Sequence, residues 1–200
     1  MSTAPSVGIL GYQGCIEPHE VIFKRLGVSC IRVRTPEELW AVDRLILPGG
    51  ESTTMLRFIK LHGMLEEIVR FAKQHRVWGI CAGAILAASE VHNPAQDSLK
   101  LIDIVAHRNF YGSQLDSFTT ELQIEGIDLC SAPVEAHFIR APLLNLRPAA
   151  ATKSNQPVRI HARHNGQPVF FSQGNVWACS FHVELGSDVS LHKAFLAPGA

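Results

Sequence analysis

Cys81 lies in the run Gly79-Ile80-Cys81-Ala82-Gly83, directly after the apolar segment Val77–Ile80 and directly before a stretch of small residues with helical character. A nucleophile on a tight strand-to-helix turn has its side chain pushed out of the sheet. Such a turn needs small residues two positions to either side, because a Cβ there would meet neighbouring backbone. The helix N-terminus that follows favours a thiolate, and the backbone N–H of Ala82 can donate to a developing oxyanion. The competing reading is an inert cysteine buried in a Gly/Ala turn. The flanking glycines and the strand–helix setting weigh against it.

A cysteine nucleophile needs a base and a group to orient that base. Ser180-Phe181-His182-Val183-Glu184 offers both at the end of the apolar run Trp177–Phe181, which reads as a strand. Residues i and i+2 of a strand share a face, so the strand reading sets Glu184 beside His182 and turns His182 toward Cys81. His-x-Glu alone describes many solvated strand faces; its weight comes from the cysteine turn and the chain order Cys, His, Glu.

A third run, Leu47-Pro48-Gly49-Gly50-Glu51-Ser52-Thr53-Thr54, closes a strand with Pro-Gly-Gly. Its unencumbered N–H groups would stand at the carboxyl edge of the sheet, where open α/β sheets bind ligands. Gly50 N–H is the candidate second oxyanion donor, and Ser52 or Thr53 could cap the next helix. A Walker-type phosphate loop is excluded by the missing Gly-Lys-Ser/Thr ending.

The elements that must position these residues alternate through the first half. Strands are expected at Val7–Leu10, Cys30–Val33, Arg44–Leu47 and Val77–Ile80, and helices at Glu17–Leu26, Pro36–Trp40, Ser52–Lys60, Met64–Gln74 and Ala82–Ser89. That alternation implies right-handed crossovers and a parallel sheet covered on both faces. The second half is strand-rich, at Leu101–Ala106, Ser117–Ile124, Phe138-Ile139, Val158–Arg163, Val169–Ser172 and Trp177–Phe181, with a last helix near Asp188–Leu196. Asn165-Gly166 between two such runs signals a hairpin.

Two hundred residues, 46% apolar and 18% charged, suit one domain with a sizeable core. Eighteen basic residues cancel eighteen acidic ones, so no global field draws the chain to nucleic acid or anionic lipid. Met1–Ser6 lacks the basic start of a secretory signal and is expected to be flexible. No run reaches the roughly 18 apolar residues of a membrane span. Five scattered cysteines without a Cys-x-x-Cys pair argue against a disulfide framework or a cysteine zinc site. A reduced, soluble, cytoplasmic protein is expected. Cys15, Cys30, Cys130 and Cys179 have no adjacent base and read as structural. His161 and His164 make a poor metal pair, and His19, His62, His75, His92, His107, His137 and His192 read as surface or satisfied histidines.

The cysteine turn, the Pro-Gly-Gly turn and His182-x-Glu184 together resemble the class I glutamine amidotransferases. Within that class the chain is similar to the glutaminase subunits of pyridoxal 5′-phosphate synthase. That closer likeness is carried by Gly8–Gly14, Pro48–Thr54, Arg108-Asn109-Phe110-Tyr111-Gly112, Gln114–Phe118, Phe138–Pro142, Gln173-Gly174-Asn175 and Ser180-Phe181-His182. It extends from about residue 7 to 195.

The resemblance implies an α/β fold: a three-layer, open, mostly parallel sheet with helices on both faces and an added antiparallel region in the second half. It implies hydrolysis of L-glutamine to glutamate and ammonia through a γ-glutamyl thioester, without metal or organic cofactor. The ammonia would pass to a barrel-shaped synthase subunit. By resemblance, Cys81, His182 and Glu184 form the triad, and Gly50, Glu51, Ser52, Arg108, Ile139 and Arg140 take glutamine. The same likeness makes Gln13–Glu20 a docking region, and a flexible Gly49-Gly50 turn beside the oxyanion site suggests activation by docking.

Val183 stands where the family usually has Pro, Ser113 where Arg is common, Ile80 where Thr is usual, and Gly11-Tyr12 in place of a small and aliphatic pair. None of these removes a reacting group. Two other readings stay open: a glutaminase serving another ammonia-using synthase, and a non-catalytic relative whose cysteine is a redox sensor. Relatives of the second kind generally lack a late His-x-Glu pair.

Overall fold

The protein is described by a computed structural model covering residues 5–108, 117–130, 132–148 and 154–197. The Asn109–Gly112 and Gln114–Asp116 parts of the family likeness, Ser113, and residues 1–4 of the expected flexible terminus lie outside the described residues. Ser6 accepts the backbone N–H groups of Asp43 and Arg44 and donates its hydroxyl to the Asp43 carboxylate at 2.8 Å.

In chain order the elements are β1 (Val7–Leu10), α1 (Ile16–Arg25), β2 (Cys30–Val33), α2 (Pro36–Trp40), β3 (Arg44–Leu47), α3 (Ser52–Leu61), α4 (Met64–Ala72), β4 (Arg76–Ile80) and α5 (Ala82–Ala87). There follow β5 (Ala88–His92), β6 (Ile102–His107), β7 (Phe118–Leu122), β8 (Val134–Phe138), β9 (Leu143–Leu146), β10 (Arg159–His164), β11 (Gln167–Gln173), β12 (Val176–Cys179) and α6 (Ser190–Leu196). The main sheet has seven strands in the order β10-β11-β12-β4-β3-β1-β2. From β12 to β2 every pairing is parallel, and β10 and β11 extend that edge antiparallel.

Alternation along the strands divides the core in two. Leu45, Leu47 and Val77 face one way, into a cluster with Leu39 of α2, Met55 and Ile59 of α3, Phe71 of α4 and Leu86 of α5. Ile46, Trp78 and Ile80 face the other, against Ile16 and Phe23 of α1 and Leu191 and Phe195 of α6. Helices on both faces of a mostly parallel sheet are what buried, near-continuous apolar strands require. Local chemistry sets the helix ends. Thr35 and Glu38 form a reciprocal capping box with Pro36 in the first turn of α2.

The second half adds a three-stranded sheet, β5-β6-β9, and the hairpin β7-β8. Asn165 and Gly166 both take positive φ, 48° and 79°, and link β10 to β11 as the hairpin signal requires. The expected helix Ala82–Ser89 is shorter than its composition suggests: it stops at Ala87, and Ala88–His92 becomes a strand parallel to β6. The Ser89 hydroxyl donates to Ile102 O across that pair. The strand β9 carried no recognisable signal, and β8 runs over Val134–Phe138 rather than Phe138-Ile139.

Candidate active site

Cys81 occupies the junction of β4 and α5 with φ 49° and ψ −104°, a conformation that side chains rarely adopt. Its N–H donates to Cys179 O of the adjacent strand at 2.8 Å, and its carbonyl accepts from Ala84 and Ile85 in the first turn of α5. The flanking glycines are required sterically. A Cβ on Gly79 would stand 2.5 Å from Gly83 O, and one on Gly83 would stand 1.9 Å from Leu47 O. The turn therefore packs backbone on backbone and against the end of β3.

His182 does not lie on a strand, which corrects the same-face argument. β12 ends at Cys179, Ser180 N–H donates to Val169 O, and His182 leaves the main sheet to exchange two backbone hydrogen bonds with His137 of β8, at 2.8 and 3.1 Å. Glu184 follows in a turn. The contact the strand was invoked to explain is nonetheless made, with His182 Nδ1 2.6 Å from Glu184 Oε1. Both residues are buried. Burial opposes a charged ring at His182, but hydrogen bonds with the thiols of Cys15 and Cys81 and with Glu184 outweigh it and hold the imidazole well above its ordinary value. At Glu184 burial opposes the carboxylate, and His182 and His19 together carry the group below the usual range. The arrangement favours an imidazolium at His182, backed by the Glu184 carboxylate.

The Pro-Gly-Gly turn closes over this pair. A Cβ on Gly49 would reach within 2.2 Å of His182 Cε1, and one on Gly50, whose φ is 154°, within 2.6 Å of Gln13 Oε1. Gln13 Oε1 accepts Glu51 N–H at 2.7 Å, and Cys15 N–H donates to Gly49 O at 2.9 Å. The segment before α1 thus holds the turn in place. Among the described residues, the N–H groups of Gly50 and Ala82 make no hydrogen bond, and both residues line one cavity. The cap of α3 is Glu51, whose carboxylate accepts Thr53 N–H at 3.2 Å; Ser52 and Thr53 do not take that role. Ser52 is buried and donates to Gln96 Oε1.

The cavity has a volume of about 300 Å³, and Cys81, His182, Gly50, Ala82, Glu51, Ser52, Arg108, Ile139 and Arg140 all line it. Glu184 stands behind His182. In the same cavity, Arg108 Nη2 pairs with Glu51 Oε1 at 3.1 Å. Hydrogen bonds from Thr53, with the nearby Arg108 and Arg140 charges, hold the Glu51 carboxyl below its usual range against the opposing effect of burial. Arg140 itself has φ 43°. A larger cavity of about 390 Å³ lies between α4 and β11, with Lys73, Lys100, Asp103 and Gln173 in its wall and, among the described residues, no cysteine or histidine.

Three residues were not legible as part of this site. Cys15, read as structural, lines the cavity, and its sulfur, a His182 nitrogen and a Glu184 oxygen all lie within 4.8 Å of one another. Such a donor set suits a soft divalent ion, but a metal there would have to break the short His182–Glu184 hydrogen bond. His19 and His192 are fully buried behind Glu184, 3.1 Å apart. No local spacing signals either one, since α1 and α6 meet only in the fold. His161 is buried and bonded to Glu125 O and Ser172 Oγ, while His164 stacks on Phe118, so the two do not act together.

A model of the SNO glutamine amidotransferase family matches residues 9–198. The pyridoxal 5′-phosphate synthase subunit PdxT of Thermotoga petrophila is 41% identical over 191 residues, 95% of this chain and 97% of that protein. The protein of the same name from Thermoplasma volcanium is 38% identical, over 97% of this chain and 94% of its own. Among solved structures, a glutamine amidotransferase superposes with a TM-score of 0.84 at 36% identity, covering 95% of this chain and 96% of that one. PurLQS from Thermotoga maritima, 14% identical with a TM-score of 0.68 over 97% and 98% of the two chains, shares the fold.

Proposed function

The chain belongs to the SNO glutamine amidotransferase family, and from that premise we propose that it is the glutaminase subunit of a pyridoxal 5′-phosphate synthase, releasing ammonia from L-glutamine for a separate, barrel-shaped synthase subunit in the cytoplasm. The observation that carries this reading is one cavity that brings together Cys81, at the strained β4–α5 junction, His182, bonded to Glu184 at 2.6 Å, and the Arg108–Glu51 ion pair.

Cys81 sulfur attacks the side-chain amide carbon of glutamine, and the charge that develops on the amide oxygen is met by the N–H groups of Ala82 and Gly50. The tetrahedral adduct collapses as His182, held by Glu184, protonates the departing nitrogen, and ammonia leaves a γ-glutamyl thioester. His182 then takes a proton from water, the resulting hydroxide adds to the thioester, and glutamate departs with the thiol restored. Glutamine carries one carboxylate and one ammonium; Arg108 and Arg140 offer cations and Glu51 an anion, and the Arg108–Glu51 pair can open to take the substrate's charges instead. Ser52 and Ile139 complete the wall. A redox-sensor role for Cys81 is disfavoured by the oriented His182–Glu184 pair, which such chemistry does not need.

Docking near Gln13–Glu20 has a mechanical route to the reaction, because Gln13 and Cys15 hold the Gly49–Glu51 backbone directly. The test is glutamate release by the isolated chain, repeated with the synthase subunit added. Turnover that rises on addition supports the reading. Absence of glutamate release under both conditions overturns it.

A further inference from the structure

Glu184 is almost completely buried, and only one of its two carboxylate oxygens is used by the triad. The second, Oε2, makes no hydrogen bond among the described residues and faces His19 Nε2, itself without a hydrogen bond, at 3.8 Å. Both side chains have no exposed surface. A buried carboxylate oxygen without a donor is costly, so two unpaired atoms of opposite character confronting each other mark a contact the fold holds ready.

The tautomers follow from the geometry. His19 Nδ1 and His192 Nε2 are 3.1 Å apart, so one of them carries the proton between them. If His19 Nδ1 donated, a neutral His19 would present a lone pair to the Glu184 carboxylate, and His192 would keep a buried N–H at Nδ1 with no acceptor. If His192 Nε2 donates, His19 carries its proton on Nε2, aimed at Glu184, and the leftover His192 Nδ1 is only an unused acceptor. The second arrangement leaves no N–H without an acceptor in front of it, the His19 Nε2–H being aimed at Glu184 Oε2 across 3.8 Å.

We propose that His19 is a positioning residue for the reaction: its Nε2–H restrains the second oxygen of Glu184, and His192 fixes the tautomer that makes this possible. The polar chain then runs His192, His19, Glu184, His182, Cys81, from α6 and α1 to the nucleophile. The titratable groups facing His19 are His192 of α6 and Glu184 and His182 of the segment after β12. Burial, reinforced by the His182 charge and opposed by Glu184, lowers His19 to about 4, so it is a neutral donor at neutral pH. Removing that donor leaves Glu184 easier to protonate, weakens its hold on the His182 imidazolium, and moves the acidic limb of the rate profile to higher pH.

The proposal rests on the glutaminase reading, and its test separates the two. Nitrogen NMR of the wild-type imidazoles is expected to show neutral His19 and His192, both with Nε2–H; an Nδ1–H His19 overturns the proposal whether or not any variant folds. His19→Leu and His19→Gln are then compared in glutamate release with the synthase subunit present, alongside thermal melts. Folded His19→Leu is expected to lose about tenfold or more in kcat with little change in KM and a raised acidic limb, and the amide donor of His19→Gln to restore most of both. An unchanged rate and pH profile in His19→Leu, or equal losses in both variants without a pH shift, overturns the proposal. A wild-type protein that releases no glutamate would sink the glutaminase reading, while the tautomers would still decide the His19–Glu184 contact.

Discussion

The His182 ring packs edge-on against Gly49, so closely that a Cβ at that glycine would sit 2.2 Å from Cε1. The imidazole is thereby held between Glu184 on one side and the Pro-Gly-Gly backbone on the other. Gly49→Ala must push the imidazole off its line to the sulfur. A kcat loss of roughly a hundredfold or more is expected, since small displacements of a catalytic group cost that much, with KM little altered. Steady-state glutamate release checks it, and wild-type kcat in a folded Gly49→Ala protein would contradict the packing.

Cys81→Ala is expected to remove glutaminase activity by at least about a thousandfold while leaving the fold and partner binding intact, as measured by glutamate release, circular dichroism and co-purification. The same position carries backbone strain, at φ 49° and ψ −104°. Cys81→Gly should therefore be more stable than Cys81→Ala, by about 1 kcal/mol. Denaturant titration of the two inactive variants tests that difference, and equal midpoints would mean the turn stores no strain.

Arg108 and Glu51 neutralise each other in the cavity and are assigned to the charged groups of the substrate. Arg108→Ala should raise KM about tenfold or more, in keeping with the loss of a charge-assisted hydrogen bond, with a smaller effect on kcat. A fall in kcat alone would move Arg108 from substrate binding to the chemistry.

Acid stability follows from the buried histidines. Burial brings His19 to about 4 and His192 to about 3, below their ordinary value of 6.5. Between 6.5 and those values the unfolded chain binds protons that the folded chain refuses, so stability falls as pH drops from about 6.5 toward 4. His182 acts in the other direction: its raised value gives a contribution that is complete below 6.5 and lost as pH rises toward the folded value. Melts at pH 7, 6 and 5 should show a declining Tm, with a shallower decline in His192→Gln. A Tm independent of pH across that window would mean the pair is not buried in neutral form.

Much of this architecture was legible locally. Gly79 and Gly83 around Cys81 announced a turn with no room for side chains, and the backbone contacts at both glycines show why. The parallel strands announced themselves as short apolar runs. The departure of His182 from the sheet was not legible, because its partner His137 lies 45 positions earlier, and the alternation Val-Glu-Ala-His-Phe can mark a strand but not what it pairs with. The His19–His192 pair is separated by 173 positions. Burial that two helices create only by packing on the same sheet face leaves no trace in spacing.

Cys81 and the chain leading to His182 leave neighbouring strands, β4 and β12, that are paired in parallel from Val77↔Val176 to Ile80↔Cys179. The points from which the two segments depart are therefore fixed by the interlocking of two central ribbons, among the least deformable parts of such a molecule. The Gly49-Gly50 corner has no comparable anchorage and is clasped by Gln13 and Cys15 from outside. An incoming subunit that grips this outer clasp can shift the Gly50 N–H and, through Gly49, the seat of the His182 ring, while the paired strands beneath stay fixed.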